Sequence, residues 1–310
     1  MNTKNLLSIA DLSAAEITEL VTNTAEMKHQ AAPQVLLNNV LALIFEKPSL
    51  RTRVSFEVAI HQLGGYSLCL SPDEVGLGKR EPISDIAQVL SRYVDGIIAR
   101  TFSHQTLETL AKYSAVPVIN ALSDLEHPCQ ALADLVTIYQ KKKRLRGLTL
   151  SFIGDGNNVS HSLLLATSLV GINFHFASPP GYNMNEQIMQ TGKQFAADSG
   201  SNIIVTEEPK QAVDGADIIY TDVWTSMGQE IEAEQRRTAF SSYQVDTALL
   251  SLAKKDVIFM HPMPAHNGEE IANGLLNDLR SVVFDQAENR LHVQRALLAE
   301  IFKGAGQDNQ

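Results

Sequence analysis

Short apolar runs alternate with amphipathic stretches along the whole chain. Nearly every position in the runs is apolar, which is typical of strands covered on both faces. The stretches between them show helical spacing, as at Phe56, Ala59, Ile60 and Leu63. This alternation predicts an α/β fold with parallel sheets. The predicted strands lie at 40–45, 66–70, 96–99, 116–120, 148–153, 172–177, 202–205, 216–221, 256–260 and 281–284.

A basic stretch, KKKRLRG at 141–147, separates the first four runs from the other six. We therefore predict two domains, 1–145 and 146–291, each a doubly wound parallel sheet flanked by helices. The last helix, from about residue 292 to 310, is expected to return to the first domain.

Composition narrows the classes of function. With 44% hydrophobic and 19% charged residues, the 310-residue chain has the composition of an ordinary globular protein. Its formal charge of −10 argues against binding nucleic acid or an anionic membrane. Two cysteines cannot form a disulfide framework, and no apolar run is long enough for a signal peptide or a membrane span, so a cytoplasmic location is expected. No Cys/His cluster has metal-binding spacing, so no metal is predicted.

Polar residues follow the first predicted strand. Ligands of parallel α/β sheets bind beyond the carboxyl ends of the strands. Ser49, a residue type favoured as helix N-cap, is followed by Arg51 and Thr52. A helix N-terminus with guanidinium and hydroxyl groups predicts a phosphate site, with solvent-exposed arginines as the alternative.

Two later strand ends add to this set. The run at 96–99 is followed by Arg100, and the run at 116–120 leads to His127-Pro128-Cys129-Gln130. Guanidinium, imidazole and amide groups suit a carbonyl oxygen that becomes negative during a reaction.

The motifs S-x-R-T-R (49–53) and H-P-x-Q (127–130) resemble those of the aspartate/ornithine carbamoyltransferase family, and the resemblance extends over nearly the whole chain. It implies that Arg51, Thr52, Arg100 and His127 act in catalysis. It also implies a carbamoyl phosphate site made of Ser49, Leu50, Arg51, Thr52, Arg100, His127, Pro128, Cys129, Gln130, Pro262, Met263 and Arg290, the last reaching it from the second domain.

The second half contains FIGDGNNVSHS at 152–162. Its glycine pair allows a dinucleotide site as an alternative, but the third glycine is missing and no acidic residue follows the run at 172–177. GDGNN instead resembles the ornithine branch of the family, which implies that Asn158 contacts the amino acid. DVWTSMGQE at 222–230 resembles its ornithine-binding loop, which implies contacts from Asp222, Ser226 and Met227.

The resemblance implies transfer of a carbamoyl group from carbamoyl phosphate to the δ-amine of L-ornithine, without metal or organic cofactor. Two alternatives stay open: another amine substrate, such as putrescine or an N-acylated ornithine, and a non-catalytic homologue. The loop SPDEVGLGKREP (71–82) implies a homotrimer or a multiple of trimers, because in the family it covers a neighbouring subunit's site.

Four positions depart from the ornithine branch. Leu50 stands where threonine is common, and Gly76 where glutamine or histidine is common. Pro262 and Met263 replace a cysteine and a leucine. We predict that backbone carbonyls after the run at 256–260 still accept hydrogen bonds from the carbamoyl group, because a carbonyl does not depend on its side chain.

Overall fold

The computed structural model describes residues 1, 3–26, 28, 30–71, 75–78, 80–226 and 228–303. The chain forms two compact units. The first unit comprises Met1–Val136 and Asn289–Gln310, and the second comprises Thr137–Glu288.

The first unit contains a parallel sheet in which the described strands have the order β2-β1-β3-β4. Its apolar core includes Ala42 and Ile44 of the first strand and Ile97 and Ala99 of the third. The strands are β1 (Val40–Phe45), β2 (Tyr66–Leu70), β3 (Gly96–Arg100) and β4 (Val118–Leu122). The helices are α1 (Ala14–Glu26), α2 (Leu50–Gln62), α3 (Ile83–Leu90), α4 (His104–Tyr113) and the first part of α5 (Pro128–Lys142).

The second unit contains another parallel sheet, and its described strands have the order β7-β6-β5-β8-β9. These strands are β5 (Thr149–Ile153), β6 (Asn173–Ala177), β7 (Ile203–Thr206), β8 (Ile218–Thr221) and β9 (Ile258–Met260). The helices are α6 (Asn158–Val170), α7 (Glu186–Ser199), α8 (Pro209–Val213), α9 (Ala233–Ala239), α10 (Thr247–Leu250) and the start of α11 (Val283–Lys303). The two parallel sheets confirm the predicted fold class. None of these helices has the length and apolar content that a membrane crossing requires.

The predicted strand at 281–284 is wrong. Ser281 forms a single bridge to Phe259, and helix α11 begins two residues later at Val283. Val283 is buried while its neighbour Phe284 is 63% exposed. A run of only three apolar residues, Val282 to Phe284, cannot be distinguished from a helix segment by periodicity alone, which explains the error. The C-terminal helix therefore starts at 283 rather than at about 292.

Each sheet has one place where the strand order reverses. In the first unit the adjacent strand ends are Phe45 and Arg100, which pair across β1 and β3. In the second unit they are Ile153 and Thr221, which pair across β5 and β8. Ligands of open α/β sheets bind outside the carboxyl ends of the strands at such points. Each unit therefore has one preferred location for a ligand.

Candidate active site

The start of helix α2 lies at the reversal point of the first unit. Ser49 is the N-cap, as predicted, with extended backbone and a side chain that accepts a hydrogen bond from the Thr52 N–H at 3.3 Å. Thr52 is buried, whereas Leu50 and Arg51 are exposed. The first N–H groups of an α-helix have no partner within the helix, so this turn presents donors together with a guanidinium group.

Arg53 is not part of this set. Its Nε donates to Glu57 Oε1 at 2.9 Å, one turn along the exposed face of the helix. The two arginines of the S-x-R-T-R motif therefore have different environments, and Arg53 carries a structural ion pair.

Arg290 joins the predicted residues of the first unit. Its Nη2 donates to Thr52 Oγ1 at 2.8 Å, and its Nη1 donates to Gln130 Oε1 at 2.5 Å. Nη1 also lies 3.1 Å from His127 Nε2. The sequence placed Arg290 in the second domain, but this stretch of α11 groups with the first unit.

The contact with Arg290 defines the charge state of His127. A guanidinium group only donates, so His127 Nε2 must accept and therefore carries no proton. Burial lowers the pKa of His127 well below its usual value, and the positive charges of Arg290 and Arg100 lower it further. The contact and the burial both favour the neutral imidazole form of His127.

Arg100 lies at the end of β3, among cations. Burial lowers its pKa to about 10, and the nearby charges of Arg290 and Arg51 contribute. Among the described residues, none accepts a hydrogen bond from the buried Arg100 Nε. A buried donor beside like charges costs free energy, and an anionic ligand would remove that cost.

Pro128 and Cys129 begin helix α5 next to His127. Cys129 is fully buried, and its Sγ lies 3.5 Å from the Asn120 carbonyl oxygen. Burial raises the pKa of the Cys129 thiol to about 12, so this thiol is not a nucleophile at neutral pH. Any ligand contact at Cys129 would come from its backbone.

Gly154 to Asn158 lie at the reversal point of the second unit. Gly156 is required for packing, because a Cβ here would lie 2.4 Å from the Met184 nitrogen. Asn157 is the N-cap of α6, with its Oδ1 accepting from the Val159 and Ser160 N–H groups. Asn158, the residue that the sequence predicted, is the first residue of the helix and is half-buried.

Asp222 follows β8 and is buried. Asn157 Nδ2 donates to Asp222 Oδ2 at 2.8 Å, and the Val223 N–H donates to Oδ1 at 2.8 Å. Burial raises the pKa of Asp222 to about 6, although nearby His261 and these two donors act in the opposite direction. The fold thus keeps a carboxylate in a place where ionisation is unfavourable, a common feature of functional sites.

Arg236 connects the two loops of the second unit, and sequence reasoning did not identify it. Its Nη1 donates to Asp155 Oδ2 at 2.8 Å and to the Trp224 carbonyl oxygen at 3.1 Å. Burial raises the pKa of Asp155, although the charge of Arg236 opposes the rise. The only sequence signal was a basic residue on a short helix, which is usually exposed.

The other predicted residues of this loop differ in what the structure describes. Ser226 is half-buried, and its N–H donates to Gln229 Oε1 at 3.0 Å. Met227 lies outside the described residues. So do four residues of the loop at 71–82, which the resemblance implied covers a neighbouring subunit's site.

Pro262 and Met263 follow β9 and are half-buried. His261 Nδ1 lies 2.7 Å from the Pro262 carbonyl oxygen, and its Nε2 lies 3.1 Å from Glu270 Oε1. Burial alone would raise the pKa of Glu270, but hydrogen bonds from His261 and the His266 N–H lower it. The pair of His261 and Glu270 positions the Pro262 carbonyl group. Nothing in the sequence pattern distinguishes Glu270 from its neighbour Glu269.

His266, Glu269 and Glu270 have potential metal-ligand atoms within 4.8 Å of one another. Two of these side chains already have partners in the protein. Glu269 Oε1 accepts from Arg237 at 3.1 Å, and Glu270 Oε1 accepts from the His266 N–H. We therefore interpret this cluster as an ion-pair network of the loop.

Comparison with known proteins identifies the family. Residues 4–140 match the model of the carbamoyl-P binding domain of aspartate/ornithine carbamoyltransferase, and residues 146–301 match that of its Asp/Orn binding domain. The chain is 51% identical to ornithine carbamoyltransferase of Thermococcus kodakarensis, covering 97% of both chains. It is 50% identical to that of Anoxybacillus flavithermus, covering 96% of both. The solved structure of ornithine carbamoyltransferase from Pyrococcus furiosus has a TM-score of 0.93 at 48% identity, covering 97% of both. The chain therefore belongs to the aspartate/ornithine carbamoyltransferase family.

Proposed function

We propose that this protein transfers the carbamoyl group of carbamoyl phosphate to the δ-amine of L-ornithine, giving L-citrulline and phosphate. The observation that carries the proposal is Arg100. Its guanidinium group is desolvated beside Arg51 and Arg290, and its Nε has no acceptor among the described residues. Concentrated positive charge with an unused donor fits a small phosphorylated ligand with a second polar end.

In this proposal the first unit binds carbamoyl phosphate. Ser49, Arg51, Thr52 and the first N–H groups of α2, including that of Leu50, hold the phosphate. Arg100, His127 and Gln130 hold the carbamoyl end, with the backbone of Pro128 and Cys129 beside them. Arg290, Pro262 and Met263 are further carbamoyl phosphate contacts.

In this proposal the second unit binds ornithine. Asp222 pairs with the α-ammonium group, and Asn158, Ser226 and Met227 are the remaining contacts. Because the pKa of Asp222 is about 6, the carboxylate is ionised at neutral pH and the cation of the amino acid offsets its burial. An N-acylated ornithine has no α-ammonium group, so Asp222 favours free ornithine over it. Putrescine keeps an ammonium group at the equivalent position and lacks the carboxylate, so only a direct comparison separates it from ornithine.

The chemistry needs a neutral nucleophile. The δ-amine attacks the carbonyl carbon and a tetrahedral oxyanion forms. The C–O bond to phosphate then breaks, and the amine nitrogen loses a proton to the departing phosphate. Arg100 and Thr52 stabilise the oxyanion. Neutral His127 carries its proton on Nδ1 in the ligand-free protein, so donation from Nε2 to the oxyanion requires the proton to change nitrogen.

We further propose that the enzyme is a homotrimer, or a multiple of trimers, in the cytoplasm. The net charge of −10 is consistent with small-molecule substrates, and not nucleic acid, as its partners. Analytical ultracentrifugation should give a mass that is a multiple of three chains, and a monomer would contradict this part.

An amine panel tests the reaction. The purified protein is incubated with carbamoyl phosphate and ornithine, N-acetylornithine, putrescine, lysine or aspartate, and ureido products are measured. We expect citrulline to dominate, and Asp222→Asn to raise the KM for ornithine about 10- to 100-fold. A preference for N-acetylornithine or putrescine would show that this amine, and not ornithine, is the substrate. No product from any amine, despite binding of carbamoyl phosphate, would support a non-catalytic homologue.

A further inference from the structure

Asp134 is a buried carboxylate on an otherwise apolar part of helix α5. It follows Gln130 by one helical turn, and its side chain is fully shielded from solvent, as are those of its neighbours Leu132 and Leu135. Gln130 Nε2 donates to Asp134 Oδ1 at 2.9 Å. Burying a carboxyl group costs free energy unless hydrogen bonds compensate for the loss of water.

The hydrogen bonds of Gln130 determine which way its amide faces. Arg290 Nη1 can only donate, so the Gln130 atom 2.5 Å away must be the oxygen. On its other side Gln130 Nε2 donates to Asp134 Oδ1, so the atom facing Asp134 is the amide nitrogen. Both neighbours therefore impose the same orientation, with Oε1 directed toward Arg290, which also contacts Thr52 and His127.

Once a ligand binds, Arg290 and Asp134 no longer restrain the Gln130 amide equally. A phosphorylated ligand attracts the guanidinium group of Arg290, which has contacts to Thr52 and His127 as well. Asp134 faces the other side of the amide and is fully buried. Asp134 alone then keeps the oxygen of Gln130 facing the ligand.

We propose that Asp134 is a positioning residue that makes the site specific for the NH₂ group of carbamoyl phosphate. The inference rests on the proposed function, in which Gln130 contacts the carbamoyl end. A fixed amide oxygen accepts from the carbamoyl NH₂, whereas acetyl phosphate offers a methyl group at the same place. A site built around a polar substrate group rejects the analogue that lacks it, because the acceptor is left unpaired.

The test compares the Kd of carbamoyl phosphate with that of acetyl phosphate by calorimetry. Asp134→Leu keeps the branch at Cγ and removes the acceptor, so the Gln130 amide can turn over. We expect carbamoyl phosphate to bind about 10-fold more weakly, acetyl phosphate to be unaffected, and the KM for ornithine to stay unchanged.

A second substitution separates orientation from folding. Gln130→Glu in the Asp134→Leu background gives residue 130 an oxygen on both sides of its end group, so either orientation presents an acceptor to the ligand. We expect this pair to recover the preference for carbamoyl phosphate. Leu132→Ala, which removes packing from the same helix, should lower stability and leave the ratio of the two Kd values unchanged.

Three outcomes would overturn the inference. An unchanged ratio in folded Asp134→Leu would show that Gln130 needs no support. Equal weakening of both ligands, without recovery in the double variant, would show a structural role only. If Asp134→Leu does not fold, Asp134→Asn replaces it in the test. Asparagine can accept from Gln130 in only one of its two orientations, so the preference for carbamoyl phosphate over acetyl phosphate should fall about 3-fold. An unchanged preference in this variant would also contradict the inference. Failure of the wild type to bind carbamoyl phosphate or to make citrulline would instead refute the proposed function, and the inference with it.

Discussion

Asp222→Asn should stabilise the second unit at alkaline pH while weakening ornithine binding. The pKa of Asp222 is raised by burial from 3.8 to about 6. Each pKa unit corresponds to about 1.4 kcal/mol, so keeping Asp222 ionised costs the folded protein about 3 kcal/mol above pH 6. The amide removes that cost. However, the NH₂ group of the new asparagine faces Asn157 Nδ2, and two donors cannot form a hydrogen bond. The loss of this hydrogen bond costs about 1 kcal/mol. The net gain at pH 8 should be about 2 kcal/mol.

The pH dependence gives the sign of the effect. The folded protein binds the Asp222 proton more tightly than the unfolded chain does, so the penalty develops as the pH rises from 3.8 to about 6. Below pH 3.8 both states are protonated, and the advantage of asparagine disappears. The variant should therefore be more stable than the wild type at pH 8 and no more stable at pH 3.5.

Trp224 provides the assay. It is the only tryptophan in the sequence, it is buried, and it lies two residues from Asp222. Its fluorescence therefore reports unfolding of the second unit, and urea titrations of both proteins at the two pH values give the comparison. A variant that loses stability equally at both pH values would refute the reasoning, because the hydrogen bonds would then outweigh the burial of charge.

Three further predictions concern the first unit. Arg51→Ala should weaken carbamoyl phosphate binding about 10-fold or more in calorimetry, whereas Arg53→Ala, which breaks only the ion pair with Glu57, should not; equal effects would contradict the assignment. His127 should show no titration by NMR between about pH 6 and 8 in the ligand-free protein, because its pKa lies well below its usual value, and a midpoint near neutrality would be inconsistent with the Arg290 contact. In the Cys69→Ser variant, Cys129 is the remaining cysteine. Because its pKa is about 12, a disulfide reagent at pH 8 should not label it until the protein unfolds. Rapid labelling of the folded variant would show that Cys129 is accessible.

The strands were predictable because burial on both faces leaves a continuous apolar run. Nine predicted runs correspond to β1 to β9, with ends differing by a few residues. The run at 281–284 failed since periodicity does not separate a short strand from the first turn of a helix. Strand ends also indicated where polar residues would gather, because parallel strands place their carboxyl ends on one side of a sheet.

The partners of those polar residues were less predictable. Arg290 is distant in sequence from Thr52, so its contact depends on how α11 packs in the first unit. Asp134 and Glu270 are supporting residues whose identity becomes clear only when Gln130 and His261 are seen to need fixed orientations. Sequence patterns report burial and local geometry, whereas such hydrogen bonds require the tertiary structure.

The hydrogen bonds of Asn157 restrict which residue types this fold can accept at position 157. An N-cap position normally tolerates serine, threonine, aspartate or asparagine. Here one amide makes two kinds of hydrogen bond. Its oxygen accepts from the helix N–H groups, and its nitrogen donates to Asp222. Aspartate would place a second negative charge beside Asp222, and a hydroxyl group is too short to meet both demands. A saturation library at position 157, selected in cells that must make the enzyme's product in order to grow, should therefore retain asparagine alone, although most helix starts accept several residues.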